Sequence, residues 1–284
     1  MSPASSDPGW GALSDPGWGA SSGPDRGAPT AGDPRQADTD AVRTLLGQAT
    51  ALSSGALRLP AMTAAELCVL GAMSTTLIDA RGWSWWVSAP PGRRPALREM
   101  AWAFLAYRQL VTPAPAARRR AEPGRVRVAA PAALIVAGRT RPAFIVLCRS
   151  GATGEPEQTR MYGIGDLESG IPAVLIEEAK PGRVGWAGPA YEFGLASPAA
   201  AGRTLARWAA FPDAAAGPAR SRLIDIHVPG TRDIRPSSRI SVQVRGGHLH
   251  VVCEPSRLTV TNPLPCDEDV LTSLLTHTLT GGCP

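Results

Sequence analysis

Apolar residues recur at spacings of three and four between residues 38 and 111, and this pattern predicts helices. The first predicted helix covers Asp38–Ser53. The next covers Ala64–Leu77 and begins at a capping box, Thr63–Glu66, whose hydroxyl and carboxylate would satisfy the opening backbone N–H groups. A third covers Pro95–Val111 and ends before two prolines, which cannot continue a helix.

Beyond residue 125 the apolar residues form short runs separated by Gly and Pro turns. This rhythm is typical of strands in a meandering antiparallel sheet. One run, Ala132–Ala137, fits either a helix or a strand. The predicted strands of this part are Arg125–Val128, Ala143–Cys148, Arg160–Ile164, Ala173–Glu177 and Tyr191–Leu195.

The last part of the chain combines strands with two helices. One helix covers Ser197–Ala210, with Ser197 as its N-cap, and the other covers Asp267–Leu279. Helices first and strands later predict an α+β fold, a mainly antiparallel sheet with flanking helices. We assign residues 38–211 and 219–284 to one domain. Further strands are predicted at Arg222–Val228, Arg239–Arg245, His248–Glu254 and Leu258–Thr261.

Residues 1–37 form a low-complexity arm in which the heptapeptide SDPGWGA occurs twice, at Ser6–Ala12 and Ser14–Ala20. This composition offers too little apolar surface to offset the entropy of ordering, so we predict a disordered arm. Two roles stay open. The repeats are a solvated tail, or Trp10 and Trp18 are contacts for a partner.

Composition narrows the class of protein. An apolar fraction of 44% allows a sizeable core, and a net charge of +5 is modest for a nucleic-acid-binding protein of this length. Five scattered cysteines, without metal-ligand spacing, indicate reduced thiols. The sequence contains neither a secretory leader pattern nor an apolar run of membrane-spanning length. We therefore predict a cytoplasmic protein without a membrane span.

Histidines are the first candidates for chemistry. His248 and His250 point to the same face of one predicted strand, and His227 lies on another strand that could be its neighbour. Such a trio could hold a metal, but acidic or thiol ligands are lacking at helpful spacing, apart from Cys253 or Glu254. We predict solvated strand histidines and no metal.

Acids and glycines give no clear catalytic pattern. Glu177 and Glu178 end an apolar strand, where we expect surface placement. Gly163–Asp166 contains two glycines but lacks the spacing of a phosphate-binding loop. The serines lie outside any nucleophile elbow. We therefore predict a protein that is not an enzyme and binds no cofactor.

A nucleic-acid-binding alternative rests on element order. The capping-box helix, a second helix and the strand Arg125–Val128 follow each other as in a winged helix-turn-helix protein, with a basic loop at the wing position. This reading makes the chain a transcriptional regulator. Its nucleic-acid contacts would be Arg98, Arg108, Arg118, Arg119 and Arg120.

Protein binding is the preferred interpretation, because apolar side chains are concentrated in two places. Trp83, Trp85 and Trp86 form the densest apolar cluster, and Trp is favoured at interface hot spots. Their alternative role is to attach a turn to the core. A second candidate patch, which could equally be sheet interior, consists of Met161, Tyr162 and Ile164.

Four stretches of the chain resemble the EspG family, cytoplasmic chaperones of type VII secretion. Leu57–Leu70 is similar to the opening strand and Thr-initiated helix of that family, and Leu97–Val111 to the helix that ends its first helical unit. Arg139–Cys148 with Arg160–Asp166 resembles its central strands, and Ala187–Phe211 a later strand and helix. The SDPGWGA arm, the tryptophan cluster and the histidine-bearing hairpin depart from the family pattern.

The resemblance implies a sheet flanked by helical bundles. It also implies that the protein binds the helical tip of a secreted protein until that substrate reaches the secretion ATPase. On this basis we predict a non-enzymatic chaperone or adaptor whose partner is a helical secreted protein.

Overall fold

The computed structural model describes residues 38–72, 80–113, 126–150, 156–168, 170–210, 220–229, 236–245, 248–255 and 264–281. Its helices are α1 (Thr39–Ala51), α2 (Ala64–Val69), α3 (Ala80–Ser88), α4 (Arg94–Tyr107), α5 (Ala130–Thr140), α6 (Pro198–Ala210) and α7 (Glu268–Leu279). Its strands are β1 (Leu57–Thr63), β2 (Val111–Pro113), β3 (Val126–Val128), β4 (Ile145–Ser150), β5 (Pro156–Asp166), β6 (Gly170–Gly185), β7 (Gly188–Ala196), β8 (Arg220–His227), β9 (Ser238–Arg245), β10 (His248–Pro255) and β11 (Leu264–Cys266).

In the described part of the chain, nine strands form one sheet with the order β1-β7-β6-β5-β4-β8-β9-β10-β11, and every neighbouring pair is antiparallel. Strand β4 connects its two halves, because Ile145 pairs with Tyr162 of β5 on one side and with His227 of β8 on the other. The short strands β2 and β3 form a separate antiparallel pair. This confirms the predicted α+β fold with a mainly antiparallel sheet and flanking helices.

The sheet carries a hydrophobic core on each face, because successive side chains of a strand point in opposite directions. On β4, Ile145 and Leu147 belong to the first core, and Val146 and Cys148 belong to the second. Residues from α1, α2, α4 and α5 complete the first core, and residues from α6 and α7 complete the second. Among the described residues, no helix is long and apolar enough to cross a membrane.

Two helices are shorter than the sequence predicts. α2 ends at Val69 instead of Leu77, because Gly71 has a φ of 73° and the chain turns back, with the Ala72 N–H donating to the Leu67 carbonyl at 2.8 Å. α4 ends at Tyr107, and Gln109, with a φ of 58°, turns the chain into β2. Apolar spacing continued past both helix ends, which is why the sequence predicted longer helices.

Candidate protein-binding surface

Helix α4 carries an exposed apolar stripe next to its buried apolar face. Leu97, Ala101 and Leu105 are buried and attach the helix to the domain. Beside this buried face, a second stripe at spacings of four and three is formed by Met100, Phe104 and Tyr107, which are 42%, 46% and 85% exposed. A surface helix normally presents polar residues to water, so this exposed stripe requires an explanation.

Trp186 extends the stripe from a second element. It lies in the turn between β6 and β7, is 44% exposed, and its ring centroid is 5.4 Å from that of Phe104. This separation is typical of packed aromatic pairs. We call the four residues Met100, Phe104, Tyr107 and Trp186 the aromatic surface. Contiguous exposed apolar side chains of this kind mark interaction sites on soluble domains.

A groove lies on each side of Trp186. The first has a volume of about 320 Å³ and runs between α4 and β7, with Phe104, Arg108 and Ala190 among its lining residues. The second has a volume of about 300 Å³ and is lined by Trp85, Pro90, Arg93 and Leu97, among others. Both grooves include Trp186, which therefore forms the wall between them. Each could accept one or a few large side chains.

The turn that carries Trp186 is held close to its neighbours. The Ala187 carbonyl accepts a hydrogen bond from the Ala65 N–H at 3.0 Å, which ties the turn to the start of α2. Gly188 has a φ of 84°, and a Cβ atom there would come within 2.5 Å of the Trp85 ring. Trp85 therefore packs directly against the turn, and only glycine fits both this backbone conformation and this contact. Trp186 is thus presented from a supported backbone.

A partly buried ion pair fixes the end of α4 to the capping box of α2. Glu66 is buried, and its carboxylate accepts from the Thr63 N–H at 2.8 Å and from an Arg108 guanidinium nitrogen at 2.9 Å. The same guanidinium donates to the Ala61 carbonyl at 2.7 Å. The predicted capping box is therefore present and also positions the C-terminal end of α4.

The tryptophans singled out from the sequence lie beside the aromatic surface, within helix α3. Trp86 is buried, with the Arg98 guanidinium 5.7 Å from its ring centroid, and Trp83 and Trp85 are half-buried. Trp85 packs against the first core. This placement matches the alternative in which the cluster attaches a segment to the core, although Trp85 also lines the second groove.

The other predicted patch lies inside the protein. Met161 and Tyr162 are fully buried on opposite faces of β5, in the second and first cores respectively, and Ile164 is half-buried against the first core. Burial removes Met161 and Tyr162 from any partner surface of the folded domain, and the sheet-interior alternative is the one observed. Sequence reasoning missed Trp186, and it did not single out Met100, Phe104 or Tyr107 as exposed residues.

Glu177 is the centre of a buried polar cluster, which corrects its predicted surface placement. Its carboxylate accepts hydrogen bonds from Arg139 at 2.6 Å, from Arg160 at 2.8 Å and from the Tyr162 hydroxyl at 2.9 Å. The Arg139 guanidinium also donates to the Ala72 carbonyl. Burial, together with the neighbouring carboxylate, raises the pKa of Tyr162 well above its ordinary value. Glu178, by contrast, is exposed.

The histidines do not converge. β9 lies between β8 and β10, so His227 and His250 are separated by a whole strand. His250 pairs with Gln243, which faces Ser221, six residues before His227 and therefore about 20 Å away along the strand. No group of three potential metal ligands occurs in the described part of the chain.

His227 has a buried side chain and sits near the ion pairs of Asp225. Asp225 is paired with Arg149 at 3.0 Å and with Arg239 at 2.6 Å. Burial lowers the pKa of His227 below its ordinary value. Its Nε2 atom has no hydrogen-bond partner among the described residues. These groups therefore form a structural cluster on the C-terminal half of the sheet.

The nucleic-acid alternative retains one supporting feature. β2 and β3 form a two-stranded pair directly after α4, and Arg118, Arg119 and Arg120 fall in their connection, outside the described residues. Arg108 is engaged by Glu66, and Arg98 lies over Trp86. The arm with Trp10 and Trp18 and the predicted strand Leu258–Thr261 also lie outside the described residues.

Comparisons of the chain with protein-family models, with curated proteins and with solved structures found no match. The resemblance to the EspG family therefore stays a prediction.

Proposed function

We propose that this protein is a non-enzymatic chaperone or adaptor of the EspG type, which binds a helical segment of a type VII secretion substrate on the aromatic surface. The observation that carries the proposal is the exposed stripe of Met100, Phe104 and Tyr107 beside Trp186. Burying large apolar side chains from water stabilises a complex, and Trp and Tyr are frequent hot-spot residues.

The geometry favours a helical partner. The stripe runs along α4 at the spacing that a helix presents to a neighbouring helix, so a second helix packed against it would bury all three residues. An amphipathic helix also offers apolar side chains every three or four residues, which suits two grooves separated by one wall. The resemblance to EspG chaperones adds the expectation that this helix belongs to a secreted protein.

The candidate chemical groups support a non-enzymatic role because they already serve the fold. Glu177 accepts hydrogen bonds from three donors in the interior, and Glu66 holds α4 in place. His227 is buried on the other half of the sheet. A cytoplasmic location, in which the chaperone would meet its substrate before export, is part of the proposal.

Co-expression tests the proposal directly. The full chain is produced with a helical secreted protein encoded beside it, in a host that carries the secretion genes, and the complex is isolated. We expect a stoichiometric complex that is lost in the double variant Trp186→Ala, Phe104→Ala. The control is Val270→Ala, which removes an apolar side chain of similar exposure from α7 on the opposite helix layer.

The outcomes separate the surface from the function. A complex that survives the double variant would place the partner elsewhere on the molecule. A folded wild-type protein that captures no helical substrate would contradict the chaperone assignment itself. Circular dichroism of each variant confirms that lost binding is not lost folding.

The second candidate function is a winged-helix transcriptional regulator, favoured by the β2–β3 pair that follows α4. A titration with nonspecific duplex DNA at several salt concentrations tests it, since phosphate contacts give a steep loss of affinity as salt rises. We expect no salt-dependent binding, because Arg108 is engaged by Glu66 and Arg98 lies over Trp86. Tight, salt-sensitive binding that Arg108→Ala weakens would favour the regulator.

A further inference from the structure

The duplicated SDPGWGA segment of the N-terminal arm has no role in the function proposed above. Each copy contains one tryptophan, Trp10 or Trp18, and one acidic residue, Asp7 or Asp15, with no basic residue in either copy. A repeated Trp in a polar, glycine-rich segment resembles two copies of a single recognition element. The chain therefore holds two potential ligands of the same kind.

The aromatic surface offers two grooves of nearly equal volume, about 320 and 300 Å³, with Trp186 between them. Each groove has an aromatic wall, Phe104 in the first and Trp85 in the second. An indole inserted into either would stack with a ring at the separations that aromatic pairs prefer, about 4.5–7 Å. The eight residues from Trp10 to Trp18 span up to about 26 Å when extended, more than is needed to cross one indole wall.

Charge also favours the arm as the occupant. Residues 80–107, which form α3, α4 and their connection, contain four arginines and a single acidic residue, Glu99. Arg93 is exposed at the edge of the second groove. Segment 6–20 carries only the two aspartates. Opposite charges within a few ångströms of a docked aromatic side chain would add attraction and orientation.

The arm is long enough to reach the grooves. Twenty residues separate Trp18 from Asp38, which allows a span of up to about 66 Å. A domain of this length has a radius of gyration of about 18 Å. The arm joins α1, which contacts β6 and β7, the two strands that the Trp186 turn connects. Tethering raises the local concentration of the arm at these grooves to about the millimolar range.

We propose that the two SDPGWGA copies dock in the grooves beside Trp186 of the same chain, one tryptophan in each groove. The arm then covers the aromatic surface when no other protein is bound. The inference goes beyond the proposed function, since it requires no second polypeptide. A partner for the same surface would have to displace the arm.

Photo-crosslinking in the full chain tests this docking. Phe104 is replaced by p-benzoylphenylalanine, and a second protein carries the same amino acid at Val270, which is similarly exposed but lies on α7. The products are digested and sequenced by mass spectrometry. We expect crosslinks from position 104 to residues 6–20, and a yield at least about tenfold lower from position 270. Equal yields from the two positions, or no crosslink to the arm from position 104, would overturn the proposal.

Two additional measurements complete the test. Trp10→Ala with Trp18→Ala should lower the yield from position 104 by about tenfold, because truncating an aromatic anchor removes most of its binding energy. Circular dichroism of this variant checks that a lower yield does not come from lost folding. Mixing ¹⁵N-labelled and unlabelled chains separates intrachain from interchain products. Crosslinks that join the two isotopes would assign the arm to a second copy and would also overturn the proposal.

Discussion

The Glu177 cluster and the aromatic surface are opposite exceptions to the usual distribution of residues. At Glu177, four polar or charged side chains are buried together, and each donor reaches the carboxylate at 2.9 Å or less. At the aromatic surface, four large apolar side chains face water. The first arrangement costs desolvation free energy that only mutual pairing offsets. The second leaves apolar area that a further polypeptide segment can cover.

This comparison separates structure from function. A charged side chain that is buried together with all its partners has a structural role, even if its residue type is one that often takes part in catalysis. An apolar stripe left in water contributes little to the fold and is available for binding. Substitutions in the Glu177 cluster should therefore lower stability. Substitutions on the aromatic surface should instead weaken partner binding and leave stability almost unchanged.

Glu177→Ala should have the largest effect on stability. It leaves Arg139 and Arg160 buried without their anion, which typically costs about 3–5 kcal/mol in the free energy of unfolding. The measurement is urea denaturation followed by circular dichroism. Glu178→Ala is the matched control, because that carboxylate is exposed and pairs with Lys180 at the surface. Equal stability of the two variants would break the comparison.

Tyr162→Phe should cost less, about 1.5–3 kcal/mol, because it removes one hydrogen bond to a charged group and leaves both arginines in place. The same denaturation experiment measures it. Tyr107→Phe, which removes an exposed hydroxyl, should leave the unfolding curve unchanged. A stable Tyr162→Phe variant would mean that the two arginines alone satisfy Glu177.

For the buried His227 we expect a smaller effect on stability, which depends on pH. Because burial lowers its pKa in the folded state, the unfolded chain takes up a proton near pH 6.5 that the folded chain does not. The free energy of unfolding is therefore unaffected above that pH and decreases as pH falls below it. His227→Gln should reduce this slope between pH 6.5 and 5, while His250→Gln on the half-exposed strand face should preserve it. Identical slopes in all three proteins would place His227 in water.

Tyr107→Ala should have the smallest effect on stability, within about 0.5 kcal/mol, because the side chain is 85% exposed. Its effect on binding should be much larger, about a tenfold weaker affinity for the helical partner. Denaturation and a binding titration on the same preparation provide both numbers. A variant that loses stability but keeps its affinity would reverse the assignment of this face.

The sequence predicted the fold class and most elements correctly, because these depend on local periodicity. The capping box at Thr63 and the N-cap at Ser197 are both present. The ambiguous run Ala132–Ala137 lies within helix α5. The register of β4 between β5 and β8 depends on pairings far apart in sequence, and local patterns did not reveal it.

The candidate site was harder to predict for the same reason. Phe104 and Leu105 are adjacent and both apolar, and the packing of α4 in the folded domain, including its contact with α2, decides which of them is buried. Glu177 lies in an apolar strand, and its partner Arg139 is 38 residues away. Trp186 has no aromatic residue beside it in the sequence, and only the β6–β7 hairpin places it against Phe104. Tertiary contacts create each of these features.

The central position of β4 has a consequence for how the chain assembles. Its contacts with β5 involve residues close in sequence, whereas Ile145 and His227 are brought together across more than eighty positions. Closing so long a loop is entropically costly and slow, so the meander of β5, β6 and β7 should form before β8 joins. During synthesis, the free edge of β4 would stay unpaired until the ribosome has released the C-terminal strands, and this is the interval in which the nascent chain is most prone to aggregate.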